Sequence, residues 1–437
     1  MMSFMARISV VVVTVILLFP IQSFAQGGDD DFPIAEISAG NFFGIGARGL
    51  GMGGAQIAAG MDGTALVYNP ALLARIRRIE ILTGMSHDRL SNDENTYPTW
   101  SVPDKAFDGK SKSFTRLNAL NVSVPVPTYR GSAVVGFGVN RVMSFDHVFQ
   151  FGHHWGVFDT WGTERGSELE TGGLYLYSAG GAIDLSPRLS VGGALNLYHG
   201  RDNYTWDYYF HEQGTSPNEI VTEDYSQYIE SRYTGVSARV GMSANFNHNL
   251  SLGVTVESPI SFAIDGEFSE DGWSYPDEFE YELRHPFSFG AGAALSIDRL
   301  QLALDLHYTD WRQMEYTEYA NMAIANNLFD LYYRETVKLN VGAEYMLPRM
   351  GAKLRAGYMY DPIPYADFLV KNDREFVTIG VGFLIDRMMT LDIAFITGSY
   401  EYTLPDPSVG PIAGLSADAM FEKYSVNRLY VTTAFRL

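Results

Sequence analysis

The chain has 437 residues, no cysteine and a formal net charge of −20. The missing thiols exclude disulfides, cysteine-based metal or redox chemistry and an acylated-cysteine anchor. The acidic excess repels phosphate and argues against a nucleic-acid partner, whereas 27 tyrosines and 27 phenylalanines suit a lipid–water boundary.

Residues 1–25 read as a signal peptide. Arg7 supplies the positive start, and Ile8 to Phe19 is an apolar run too short to span a bilayer comfortably. Ser23-Phe24-Ala25 places the cleavage point before Gln26. Loss of Arg7 leaves 30 basic against 51 acidic residues, a net −21. Asp29-Asp30-Asp31 reads as a solvated tail rather than a calcium site. No later run approaches twenty apolar residues, so the mature chain is expected to cross a membrane with strands or not at all.

Gly44 to Ala74 is rich in glycine and alanine and poor in charge. Residues 26–76 are therefore read as a small plug, or hatch, enclosed by the remainder of the chain. Ala65 to Arg75 is expected to form one or two helical turns, with Pro70 early and Asp62 or Thr64 as N-cap. Gly44-x-Gly46-x-x-Gly49 matches a dinucleotide fingerprint, but no strand precedes it, so its glycines are assigned to turns and tight packing.

From residue 77 onward the pattern has period two. Leu300, Leu302, Leu304, Leu306 and Tyr308 alternate with Gln301, Ala303, Asp305, His307 and Thr309, and Val337 to Leu347 and Val377 to Ile385 behave alike. One face is apolar and the other small or polar. Fourteen strands are predicted, at 77–87, 112–124, 132–143, 171–184, 188–200, 229–245, 249–261, 281–297, 299–312, 335–347, 351–361, 374–385, 388–402 and 425–437. Short turns alternate with long links, the signature of an outer-membrane barrel. The even count puts both termini at the short-turn end, expected to be periplasmic. The expected fold class is thus an all-β, 14-stranded antiparallel transmembrane β-barrel spanning 77–437. Slipping the strand that carries Lys338 and Glu344 by one residue would put both charges into lipid, at about 2–4 kcal/mol for the lysine.

Gly49-Leu50-Gly51, Asp62-Gly63-Thr64-Ala65 and Asn69-Pro70-Ala71-Leu72-Leu73 resemble the hatch of the FadL-type outer-membrane transporters of long-chain fatty acids and hydrocarbons. Asp310-Trp311, Arg355-Ala356-Gly357-Tyr358, Asp361-Pro362 and Thr378-Ile379-Gly380-Val381-Gly382 match that family's late-strand pattern in order. Arg48 to Ala55 is also similar to the start of PorV-type barrels, which serve protein secretion. The first resemblance implies passive uptake of a long-chain fatty acid or other hydrophobic small molecule through an apolar lumen gated by the hatch. Exit would be sideways through a kink in the wall. The second implies a protein partner in secretion or surface attachment. Outer-membrane lipid and lipopolysaccharide are expected neighbours in either case, and no cofactor, metal or catalytic residue is expected.

A carboxylate ligand wants a cation in the lumen. Parity turns Arg239, Lys338 and Arg355 inward, where they either meet ligand or pair with Glu257, Asp305, Glu344 or Asp392; pairing is favoured, because buried charges are normally paired. Asn69, Pro70 and Ala71 are the hatch motif, and Gly136 and Gly138 are candidates for the wall kink or plain small lumenal positions. His153-His154 with Asp146 and Asp159 reads as solvated loop, and His87-Asp88 and Asp305-His307 lack a nucleophile to make them a hydrolase. Tyr319 to Tyr333 has helix-like apolar spacing and is either a docking groove for apolar ligand or a cover over the barrel mouth.

Overall fold

The computed structural model describes residues 44–94, 111–157, 160–213, 220–271, 275–318, 322–402 and 422–437. Residues 1–25, read above as a signal peptide, and 26–43, read as the start of the hatch, lie outside the described residues. Among the described residues, no helix is long and apolar enough to cross a membrane.

The hatch comes first, with α1 (Ala47–Gly51), α2 (Ala65–Tyr68) and a 3-10 turn over Pro70–Arg75. Asp62 begins α2 as an Asx turn, its Oδ1 accepting from Thr64 N at 3.0 Å. Asn69 caps the 3-10 turn, Oδ1 accepting from Ala71 N at 3.1 Å, and Pro70 occupies the first helical position, where its missing N–H costs nothing. The fingerprint glycines turn the chain into α1: Gly44 and Gly46 have φ of +91° and +80°, and Gly49 packs on Gln56 and Tyr68.

The wall comprises β1 (Glu80–Glu94), β2 (Ser111–Val126), β3 (Ala133–Ser144), β4 (His147–Val157), β5 (Thr160–Ser186), β6 (Leu189–Gln213), β7 (Ile220–Asn245), β8 (Leu250–Glu257), β9 (Ile260–Glu270), β10 (Asp277–His285), β11 (Ser288–Ile297), β12 (Leu300–Asp310), β13 (Glu315–Glu318), β14 (Glu335–Leu347), β15 (Ala352–Asp361), β16 (Val370–Leu384), β17 (Met389–Tyr402) and β18 (Glu422–Arg436). Four pairs of segments (β3/β4, β8/β9, β10/β11 and β12/β13) run end to end, so the segments form fourteen antiparallel staves. Pairing of β1 with β18 closes the barrel and leaves no sheet edge. Leu437 N donates to Ile79 O at 2.9 Å, which sets the end of the wall beside its start at the short-turn end.

The faces fall as the alternation requires. Leu302, Leu304, Leu306 and Tyr308 are exposed on the outside, as are Val377 and Ile379, while Ala303, Asp305, Asn340 and Thr378 are buried inside.

Several predicted boundaries are corrected. Residues 144–170 and 201–228 were expected as long links, yet β4 and the first part of β5 occupy one, and β6 and β7 extend through most of the other. A membrane strand needs about 9–11 residues, and β5 has 27. The surplus forms hairpins rising beyond the membrane, packed on an internal cluster of Phe149, Tyr204, Trp206, Tyr208 and Phe210. Polar alternation there reads as loop only because the outward face meets water rather than lipid. His153 and His154 accordingly lie in β4, not in a loop. The predicted strands 249–261 and 281–297 each contain a break, at Ser258-Pro259 and Pro286-Phe287, since proline cannot donate to the ladder. Tyr319–Tyr333 contributes α3 (Met322–Tyr332), which buries Ala325, Phe329 and Tyr332 over the long-link end of the lumen. Of the two roles expected for it, the cover is the one observed.

Candidate functional site: a hatch between two cavities

The hatch fills the lumen toward the short-turn end and is tied to the wall all round. Ala47 N donates to Thr432 Oγ1 at 2.8 Å, Gly53 N to Thr378 Oγ1 at 3.0 Å, and Gly63 N to Glu80 Oε1 at 2.7 Å. Asp305 Oδ2 accepts from Gln56 N and Ile57 N at 2.5 and 2.7 Å. Asn69, fully buried, donates from Nδ2 to Ile57 O and Met242 O at 2.8 and 3.2 Å, so one side chain caps a turn and binds the turn to the wall. The wall in turn presents glycine where the hatch backbone touches it. A Cβ on Gly357 would stand 2.1 Å from Gly53 N, and one on Gly342 would stand 2.3 Å from Met52 O.

Above the hatch lies a cavity of about 190 Å³. Gly44, Gly54, Val67 and Tyr68 of the hatch contribute to its lining. Val142, Leu176, Ile260 and Met359 give it apolar walls, and Arg239, Lys338, His285, His307 and Trp311 supply its polar groups. The Tyr68 hydroxyl both accepts from Ile45 N at 2.8 Å and donates to Ile45 O at 2.9 Å, and burial pushes its phenol well above the usual range, so it stays protonated.

Below the hatch, at the short-turn end, lies a second cavity of about 650 Å³. Arg48, Arg75, Arg77, Arg78, Lys353, Arg355, Arg387 and Arg436 line it against Asp62, Glu80 and Asp392. The chain is strongly acidic as a whole, yet this basin is basic.

The three cations singled out from sequence therefore separate. Arg239 and Lys338 share the upper cavity, whereas Arg355 faces the lower one. All three are paired: Arg239 with Glu257, Lys338 with Asp361 at 3.3 Å, and Arg355 with Glu344 at 2.7 Å and Asp392 at 2.6 Å. Asp361 also pairs with Arg374 at 3.4 Å. Sequence reading missed Arg374 and Asp361 as site residues, although both belong to motifs that carry the family resemblance or flank them. It also missed Arg48, which reaches Glu344 at 3.2 Å and Gln56 at 3.0 Å.

The wall is interrupted in the third stave. β3 pairs with β2 and β5 without a register shift through Gly136 and Gly138, so the kink does not fall there. Those glycines are small lumenal positions: a Cβ on Gly136 would press on Leu66 and Leu73 of the hatch, and one on Gly138 on Asn121. β3 parts from β2 after Asn140, shifts register between Arg141 and Met143, and turns at Phe145-Asp146 into β4. Among the described residues, Ser111 to Asn118 of β2 have no partner on that side. Arg116 and Arg141 each hold Asp146, at 2.9 and 2.8 Å. A cleft of about 380 Å³ beside this seam is lined by Arg116, Arg141, Gly173, Tyr175 and His199.

The hydrolase pairs come apart. His87 is exposed and meets Thr115, while Asp88 is buried and held by Arg428 at 2.6 and 3.0 Å. Asp305 binds the hatch, whereas His307 lines the upper cavity.

The family model "Outer membrane protein transport protein (OMPP1/FadL/TodX)" matches residues 31–401. No curated protein matches the chain. Among solved structures, it is similar to a FadL homologue of Pseudomonas aeruginosa at 15% identity, covering 90% of this chain and 99% of that one with a TM-score of 0.61. It is also similar to the P. putida toluene transporter TodX (13%, 91% and 99%, 0.56) and to the CymD monoaromatic hydrocarbon channel (14%, 91% and 99%, 0.54). These likenesses establish the shared fold, and the family match does not favour the PorV-type alternative. A closed fourteen-stave wall, a hatch seated on its glycines and a family match over most of the chain place this protein among the FadL- and TodX-type outer-membrane channels for hydrophobic compounds.

Proposed function

We propose that the chain takes up long-chain fatty acids or other hydrophobic compounds passively, with the upper cavity as the binding site and the hatch as its gate. The observation that carries this reading is an apolar-walled cavity resting on the hatch, with Lys338 at its edge. Lys338 lines this cavity, so the carboxylate of an acid bound there would meet its ammonium. In a water-poor lumen such a contact is worth more than at the surface. Arg239, matched by Glu257, helps to line the cavity rather than to bind the acid. Arg355 braces its strand to the neighbouring wall through Glu344 and Asp392, and Arg48 of the hatch joins the same network at Glu344. A ligand in the cavity touches Val67 and Tyr68 directly, so its arrival bears on the hatch. Release is assigned to the seam at Arg141–His147, beside which two arginines and Asp146 form a breakable latch. The role is transport, not catalysis. The termini and the basic basin face the periplasm in this reading, and outer-membrane lipid and lipopolysaccharide surround the wall.

Cavity size favours a second reading of the ligand. An apolar cavity of about 150 Å³ accommodates benzene, so 190 Å³ suits a compact aromatic body better than a whole extended acyl chain. The likeness to toluene and monoaromatic channels points the same way.

The test is mass spectrometry of compounds retained by the purified barrel, with titrations of labelled oleate, benzoate and toluene on wild type and Lys338→Ala. Saturable binding, with an acid weakened about tenfold (1.4 kcal/mol) in the variant and toluene unaffected, supports the carboxylate site. Equal binding of acids in both forms removes Lys338 from the site. No binding of any of the three overturns the uptake reading.

A further inference from the structure

We propose that the bend between β3 and β4 holds one divalent transition-metal cation of the zinc type, ligated by His147, Glu168 and Glu170, which staples β4 to β5 beside the seam. The proposal does not depend on which compound the barrel carries.

One ligand atom from each of the three side chains lies within 4.8 Å of the other two. His147 Nδ1 stands 2.7 Å from a Glu168 oxygen and 3.9 Å from a Glu170 oxygen. A tetrahedral zinc site, with metal–ligand bonds near 2.0–2.2 Å, separates its donors by about 3.3–3.5 Å, so small side-chain rotations close the present triangle. The backbone supplies the arrangement. His147 is the register partner of Glu170, and Glu168 lies two residues away on the same face of β5.

The surroundings match an outer shell. The other imidazole nitrogen, Nε2, meets the hydroxyl of Tyr424 on β18, with the rings 4.9 Å apart. A ligating histidine usually gives its second N–H to such an oxygen, which fixes the ring and its tautomer. Tyr204 reaches the second oxygen of Glu168 at 3.5 Å, and Glu170 is hydrogen-bonded to buried Asp202. Two carboxylates, Glu168 and Glu170, face one imidazole here, and Arg116 and Arg141 each hold Asp146. One imidazole and two carboxylates form a donor set suited to zinc.

The experiment uses the full-length barrel in detergent, stripped with chelator and titrated with Zn²⁺ by calorimetry, with metal content read by mass spectrometry. Wild type is expected to bind one equivalent. His147→Gln and Glu170→Gln are expected to bind at least about tenfold more weakly, and the double variant His153→Ala/His154→Ala to bind as wild type. Zinc should also slow hydrogen exchange at residues 144–148 in wild type. Heat-modifiable gel mobility verifies folding, and Glu168→Gln takes the place of any variant that fails it. No stoichiometric binding, unchanged affinity in the ligand variants, or loss of binding in the His153/His154 variant would each overturn the site.

Discussion

The two ends of the lumen are built on opposite rules. Toward the short turns, hatch and wall meet through glycines, backbone amides and buried ion pairs, and Arg48, Glu344, Arg355 and Asp392 form one chain of contacts across them. Toward the long links, the lumen is filled by large rings under α3: Tyr281, Tyr316, Phe329 and Tyr333 pack at centroid distances of 5.1–5.6 Å. Directional contacts fix one geometry. Aromatic packing tolerates repacking at lower cost. The lower half is therefore a seat for the hatch, and the upper half is the part that the proposed uptake would require to repack around a hydrophobic guest.

That contrast breaks most sharply at Arg355. Arg355→Ala leaves Glu344 and Asp392 short of a buried partner, and removing one member of such a pair costs about 3–5 kcal/mol. Urea titration of the folded barrel should show a loss of that order. An equal loss from Phe329→Leu in the upper half would erase the distinction. Gly357→Val comes next, since the new Cβ collides with hatch backbone rather than a movable side-chain tip. Overpacking of this kind costs about 1–3 kcal/mol, and a displaced hatch should raise single-channel conductance in planar bilayers. Asn69→Ala removes the cap, the bond to Ile57 O within the hatch and the bond to Met242 O of the wall, for about 0.5–2 kcal/mol by the same titration. Its conductance should rise less than that of Gly357→Val. The smallest effect belongs to Arg232→Ala on the exposed hairpins, where surface pairs with Asp265 and Glu267 contribute about 0–1 kcal/mol. A larger loss there would mean that the hairpins brace the barrel.

Legibility followed the same division. Leu302 to Tyr308 and Val377 to Phe383 revealed their faces because lipid demands apolar side chains on one side only. The residues above the membrane gave no such signal. Water accepts polar residues on the outer face, so β4, the tall ends of β5 to β7 and the His147–Glu168–Glu170 triangle read as loop. Parity correctly turned Arg239, Lys338 and Arg355 inward, but could not say that the hatch would stand between Arg355 and the other two.

Sequence alone thus determined the barrel, its stave count, the side of each strand that meets lipid, and a hatch with short helical turns around Pro70. These rest on local rules: period two, turn chemistry and the cost of charge in lipid. The tertiary structure decided which charges pair, where the third stave leaves its neighbour, and which glycines admit the hatch backbone. Each of these is a meeting of segments far apart in the chain, as Asp305 is from Ile57 or His147 from Tyr424. Only closing the barrel around its plug brings such partners within reach.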